Sequence, residues 1–207
     1  MMRILGRAGA TLLALALSVS CAAAGGVSSS TTYKVNPVKG TTAADLWRYM
    51  LAYPIIDPDD GPAFANITHE HRMSVRTQSA GGLCRVTDVD FHWSFVITLP
   101  KAVNYAQMNA ATRQMWDQFT AYLKKHEEEH RTIFLDCGKS FVPAAGKMTG
   151  LPGCPGMDRK VRAFIDKQYA ACMDRQRAFD RGQKQSVANL ALVRAAQGAG
   201  LPAGKGF

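Results

Sequence analysis

The sequence predicts a single α+β domain, a small antiparallel sheet packed on two long helices, and three observations carry that expectation. The chain has 207 residues, enough for one sizeable core. Residues 65–76 and 89–99 alternate apolar and polar side chains, which is the period of half-buried strands. Residues 111–137 and 158–179 repeat apolar residues at steps of three and four, which is the period of amphipathic helices. Hydrophobic residues make up 47% and charged residues 20%, so disorder over the whole length is excluded. Only one apolar stretch approaches membrane length, at the start, which excludes a multi-span membrane protein.

Taken in order, the chain opens with Arg3 and Arg7, then an apolar run from Ala10 to Val19, then Ala22-Ala23-Ala24 as a cleavage candidate. Residues 1–24 therefore read as a secretory signal peptide, and the mature chain is expected to be exported, periplasmic or secreted. A lipid anchor at Cys21 is disfavoured, because Ser18 stands where such processing prefers an aliphatic residue. Residues 25–32 (GGVSSSTT) read as a flexible lead-in to a domain over 33–195. Tyr33-Lys34-Val35 is a short strand candidate, broken by Gly40. Thr42 can cap a helix that runs to about Tyr53, with Leu46, Tyr49 and Met50 as its apolar stripe. Residues 55–62 (IIDPDDGP) read as a loop.

A hairpin follows. Ile67, His69, His71, Met73 and Val75 share one face of its first strand, and Gly81-Gly82 supplies the turn. Val89, Phe91, Trp93, Phe95, Ile97 and Leu99 share the inner face of the second, which Pro100 ends. The helix over 111–137 has a stripe of Trp116, Phe119, Leu123, His126, His130, Ile133 and Cys137. Residues 141–155 read as a Gly/Pro loop, residues 158–179 as the second long helix, and residues 196–207 as a frayed tail.

The formal charge of +9 invites a nucleic-acid partner, but two of those charges, Arg3 and Arg7, leave with the signal peptide. The bases of the second helix are interleaved with Asp158, Asp166, Asp174 and Asp180, the pattern of a solvated face. No nucleic-acid partner is expected, and weak electrostatic contact with anionic envelope components is what the residual charge allows.

A smaller count carries more information. The chain has four glutamates, at 70, 127, 128 and 129, and three of them lie in His126-Glu127-Glu128-Glu129-His130. This is an HExxH motif, and at this composition it would arise by accident roughly 0.002 times per chain. On a helix, residues i and i+4 project from one face, so His126 and His130 can converge on one Zn2+ ion. Glu127 then points into the adjacent cleft, where it can act as general base and acid toward a water molecule. Two core-facing histidines side by side without a metal would need other partners for their ring nitrogens. His69 and His71 read first as packed histidines of the sheet, and His92 as a solvated one.

The run Trp116-Asp117-Gln118-Phe119, continued by Leu123 to His130, resembles the signature of the DUF922 family, described as predicted bacterial secreted zinc-dependent proteases. Tyr33-Lys34-Val35, Gly82-Leu83-Cys84-Arg85-Val86 and Thr98-Leu99-Pro100 extend the resemblance over roughly residues 33–186. One departure matters: the family tends to place a histidine where this chain has Gln185, while Asp180 is kept. An amide is a poor zinc ligand, so Asp180, Gln185, His69 and His71 all stay open as the third ligand. Among the cysteines, two disulfides are expected, with Cys137–Cys172 tying the helices and Cys84–Cys154 tying sheet to loop as the preferred of three connectivities. The expected architecture is zincin-like, with the sheet packed on the HExxH helix. The expected function is a zinc-dependent peptidase acting on a peptide or protein substrate. The alternative is an exported zinc-binding or envelope-interaction module without turnover.

Overall fold

The computed structural model describes residues 26–58 and 61–204. The expected signal peptide and Cys21 lie outside the described residues. The first five elements are β1 (Val27–Val38), α1 (Ala43–Ala52), the short pair β2 (Ile55–Asp57) and β3 (Gly61–Ala63), and β4 (Asn66–Ala80). They are followed by β5 (Leu83–Ala102), α2 (Ala110–Gly146), β6 (Thr149–Gly150), α3 (Met157–Ala188) and α4 (Ala191–Gly198). The domain is α+β, with a small sheet and four helices.

The sheet is mixed, and this corrects the expected all-antiparallel arrangement. Its order is β1-β5-β4, with β4 antiparallel to β5 and β1 parallel to it, while β6 adds a short pairing at Cys84 and Arg85. Residues 27–32 belong to β1 and are not a flexible lead-in. Val27 pairs with Phe91 and Tyr33 with Ile97, so the serines and threonines of that stretch are held by ladder hydrogen bonds rather than by packing. A strand that buries little on either face has no apolar alternation, so its sequence carries no period-2 signal.

Local chemistry explains most of the rest. Thr42 caps α1 as expected, its hydroxyl accepting from the Asp45 N–H at 3.2 Å. Gly81 and Gly82, both at positive φ, close the β4–β5 hairpin. The expected loop at 55–62 contains the β2–β3 pair, with Ile55 opposite Ala63. Helix α2 runs nine residues past Cys137 and carries Pro143 inside it, where a loop was expected. The lost amide of Pro143 would have bonded to the carbonyl of exposed Lys139, and buried Phe141, Val142 and Ala145 hold the last turns on the core.

Two apolar clusters flank the middle of α2. One joins α1, α4 and the first half of α2 around Leu46, Trp47, Phe119 and Leu123. The other joins β5, α3 and the second half of α2 around Phe91, Trp93, Phe134 and Ile165. Residues 126–130 lie between Leu123 of the first and Ile133 of the second. The stretch expected to fray, 196–207, is ordered over its described part, 196–204, another correction: Ala196 is buried in the first cluster, Leu201 packs against it, and Trp47 donates its indole N–H to the Pro202 carbonyl at 2.9 Å.

Both expected disulfides are present, Cys84–Cys154 and Cys137–Cys172. Such cross-links belong to an oxidising environment outside the cytosol. No helix among the described residues is long and apolar enough to cross a membrane.

Candidate metal centre

Helix α2 sets His126 and His130 one turn apart on its core-facing stripe, and both are buried. Their Nε2 atoms lie 3.0 Å from each other. Asp180, on α3, completes the group: its Oδ1 is 2.8 Å from His130 Nε2 and 3.3 Å from His126 Nε2. These three side chains are the group of His, Cys, Asp or Glu able to share one ion among the described residues. Around a tetrahedral ion with bonds of 2.0–2.1 Å, ligand atoms stand about 3.3 Å apart. The observed separations are close to that spacing.

Gln176, one turn before Asp180 on α3, decides how His130 is used. Its Nε2 donates to the His130 backbone carbonyl at 3.1 Å, which can only accept, so the orientation of the amide is fixed. Its Oε1 therefore faces His130 Nδ1, at 2.6 Å, and that nitrogen must carry the proton. In the neutral ring the Nε2 lone pair is then left pointing at Asp180 and His126. A proton or a cation has to sit there, because a carboxylate oxygen and a bare imidazole nitrogen repel each other.

The charge states follow. Burial alone would pull His130 down, but its hydrogen bond to Asp180, that carboxylate's charge and Gln176 outweigh this and hold it above its ordinary value. His126 goes the other way, lowered first by burial and also by the neighbouring His130. Burial would raise Asp180, yet the two histidines hold it well below the usual carboxylate range. Of the two histidines, His130 is the one whose charged form its surroundings favour.

Glu127 is buried, and its carboxyl is pushed up to about 8 by burial, with the charges of Asp180 and Asp57 adding to the effect against the pull of His130. It shares a cleft of about 240 Å³ with the three clustered side chains. The same cleft is walled by Asp57 of β2, by Asn66, Ile67 and His69 of β4, by Phe134 of α2, and by Met173, Gln176 and Arg177 of α3.

Of the four candidates for a third ligand, the structure brings Asp180 to the histidines and not the others. Gln185 is exposed, five residues past Asp180 along α3. His69 lines the cleft but bonds through Nε2 to the Tyr169 hydroxyl at 2.7 Å. His71 is exposed and stacks on Phe91, with ring centroids 5.1 Å apart. His92 accepts or donates through both ring nitrogens to Ser28 and Ser30 on the sheet's outer face. Two residues of the site were not read from the sequence. Gln176 stands at i−4 from Asp180, a spacing that identifies it once Asp180 is placed, whereas Asp57 sits in a short pair with no sequence signal of its own.

The comparisons with known proteins are narrow. A family model described as "Bacterial protein of unknown function (DUF922)" matches residues 33–186. No curated protein and no solved structure matches the chain. The match begins in β1, ends in α3, and encloses His126, Glu127, His130, Gln176 and Asp180, so the chain belongs to the DUF922 family.

Proposed function

We propose that this protein is an exported zinc-dependent peptidase, zincin-like in architecture, with His126, His130 and Asp180 as metal ligands and Glu127 as general base and acid. The observation that carries the reading is the meeting of two imidazole Nε2 atoms and one carboxylate oxygen within 2.8–3.3 Å, beside a buried glutamate in an open cleft. Two imidazoles and a carboxylate are a donor set zinc accepts readily, and three protein ligands leave a position open for chemistry. The Gln176 amide supports the fit by keeping His130 Nδ1 protonated and Nε2 free of its proton in the neutral ring.

Bound zinc would acidify a water molecule and polarise the scissile carbonyl. The remaining work falls to the chain. Glu127 takes a proton as the water oxygen bonds to the carbonyl carbon, then returns it to the departing amine nitrogen as the C–N bond breaks. Burial holds the Glu127 carboxyl above its ordinary value, which makes it a stronger proton acceptor than a solvated carboxylate. Asp180 offsets one charge of the ion and keeps α3 against α2.

The experiment is metal analysis and peptide cleavage on the wild type and Glu127→Gln. The expected outcome is one zinc per chain in both, with chelator-sensitive cleavage in the wild type and a loss of 10²-fold or more in the variant. A Glu127→Gln protein with full activity would overturn the mechanism. Zinc without cleavage in the wild type would instead favour a non-catalytic zinc-binding module.

A further inference from the structure

The cleft has two chemically different ends, and the clustered side chains occupy only one. Helices α2 and α3 lie side by side in opposite directions: His126 and His130 meet Asp180, His130 meets Gln176, and Cys137 is bonded to Cys172. Moving along α2 from Glu127 toward Cys137 therefore leads back along α3 from Asp180 to Met173 and Tyr169. Phe134 stands one turn beyond His130, about 6 Å along the helix axis. Opposite it His69 of β4 packs on the Phe134 ring, centroids 4.1 Å apart, while the Tyr169 hydroxyl fixes its Nε2. Tyr169, Met173, Gln176 and Asp180 recur at steps of four, three and four on one stripe of α3, so the face that delivers Asp180 also anchors His69.

Ile67, His69, Phe134 and Met173 wall this end of the cleft, and all but Phe134 are half-buried rather than sealed in the core. The acidic side chains gather elsewhere, with Asp57 acting on Glu127 and Asp180 on the histidines. We propose that the apolar end is a side-chain subsite that selects a large apolar residue of a peptide, seated on Ile67, Phe134 and Met173 one or two residues from the cleaved bond, with His69 as its end wall. The proposal rests on the peptidase reading. An extended peptide advances about 3.3 Å per residue, so two residues cover the distance from His130 to Phe134. Arg177, one turn from Met173 in the same cleft, is exposed and already paired with Asp174. A charged side chain entering this end would therefore lose its hydration for no free partner, and a small one would leave the wall unfilled. His69, oriented by Tyr169 and packed on Phe134, limits the depth.

The test profiles cleavage of a mixed peptide library by the zinc-loaded full chain, with Met173→Arg and His69→Ala alongside. Zinc content and thermal midpoint show that each variant is folded. The expected result is enrichment of Leu, Met or Phe over Ala and Asp by tenfold or more at one position within two residues of the bond. Met173→Arg should shift that position toward Asp and Glu, and His69→Ala should admit Trp. Should Met173→Arg fail to fold, His69→Ala and Met173→Ala carry the same comparison. Cleavage with no apolar preference, or a preference the variants leave unchanged, overturns the subsite alone. A wild type that cleaves nothing, yet binds fluorescent Leu- and Phe-containing hexapeptides in a way Met173→Arg abolishes, overturns the peptidase reading and supports the subsite. Neither cleavage nor binding overturns both.

Discussion

At the scale of single residues, the site is governed by one proton. His130 Nδ1–H is committed to Gln176, so a second proton on His130 occupies the Nε2 position a metal would use. His130 lies above its ordinary value, because Asp180 and Gln176 outweigh the burial that opposes them. A histidine raised in this way stabilises the metal-free fold at low pH, and that contribution is lost as pH rises through the folded value. Zinc ligated by His130, as proposed, would compete with this proton, so it should bind more tightly as pH rises through the region above 6.5, by up to about tenfold per unit where His130 is protonated. Gln176→Leu should weaken zinc by about 10–100-fold at pH 7.5, since the ring loses the partner that fixes its tautomer. Chelator-competition titrations of both proteins from pH 6 to 8 check the two statements. A pH-independent wild-type affinity, or a variant that binds as tightly as the wild type, would refute the assigned role of Gln176. His126, Glu127 and His130 were legible because scarce glutamate and i, i+4 histidines stand out in the sequence. Asp180 stayed one of four candidates, because nothing local says which residue of α3 will face α2.

Among elements, legibility followed the period of apolar residues. Strand β5 and the core stripe of α2 bury one face each, so both announced themselves; β1 buries almost nothing and did not. Gly138 lets α2 approach the sheet closely, since a Cβ there would meet the Val27 side chain at 3.0 Å and Trp93 Nε1 at 3.2 Å. The cysteine pairing joins elements in two different ways. Cys137–Cys172 fastens α2 to α3 within two turns of His130 and close to Gln176, whereas Cys84–Cys154 fastens the start of β5 to the loop before α3. With sequence separations of 35 and 70, the loops closed imply comparable chain-entropy contributions, about 4 kcal/mol each. Replacing either pair by serines should therefore lower the unfolding midpoint to a similar degree. Only Cys137→Ser/Cys172→Ser should also weaken zinc, because it frees the α2–α3 seam that positions Asp180. Equal zinc affinity in the two double variants would show that the seam holds without its cross-link.

Over the described residues the molecule is two apolar clusters joined across the middle of α2, and the last of those residues complete the first cluster. The sequence from 196 onward is short, glycine-punctuated and near the end of the chain, which is why 196–207 read as frayed. Its order comes from distant partners that local pattern does not reveal. Leu192, Val193 and Ala196 fill the space between α1 and α2, Leu201 packs on the same cluster, and the Pro202 carbonyl accepts from Trp47. Removing residues 190–207 would expose the apolar surface of Leu46, Trp47 and Phe119 that α4 covers. Full burial of Leu192 and Val193 alone is worth about 3–6 kcal/mol, a large part of the stability of a domain this size. A chain ending at Asn189 should thus lose several kcal/mol in urea denaturation, with Trp47 emission shifted to the red as its indole meets water. The histidine cluster lies on the far side of Leu123, so zinc bound by whatever fraction stays folded should retain its stoichiometry. An unchanged denaturation midpoint would mean that the first cluster closes without α4, and the tail would then be an ornament of the fold rather than one of its walls.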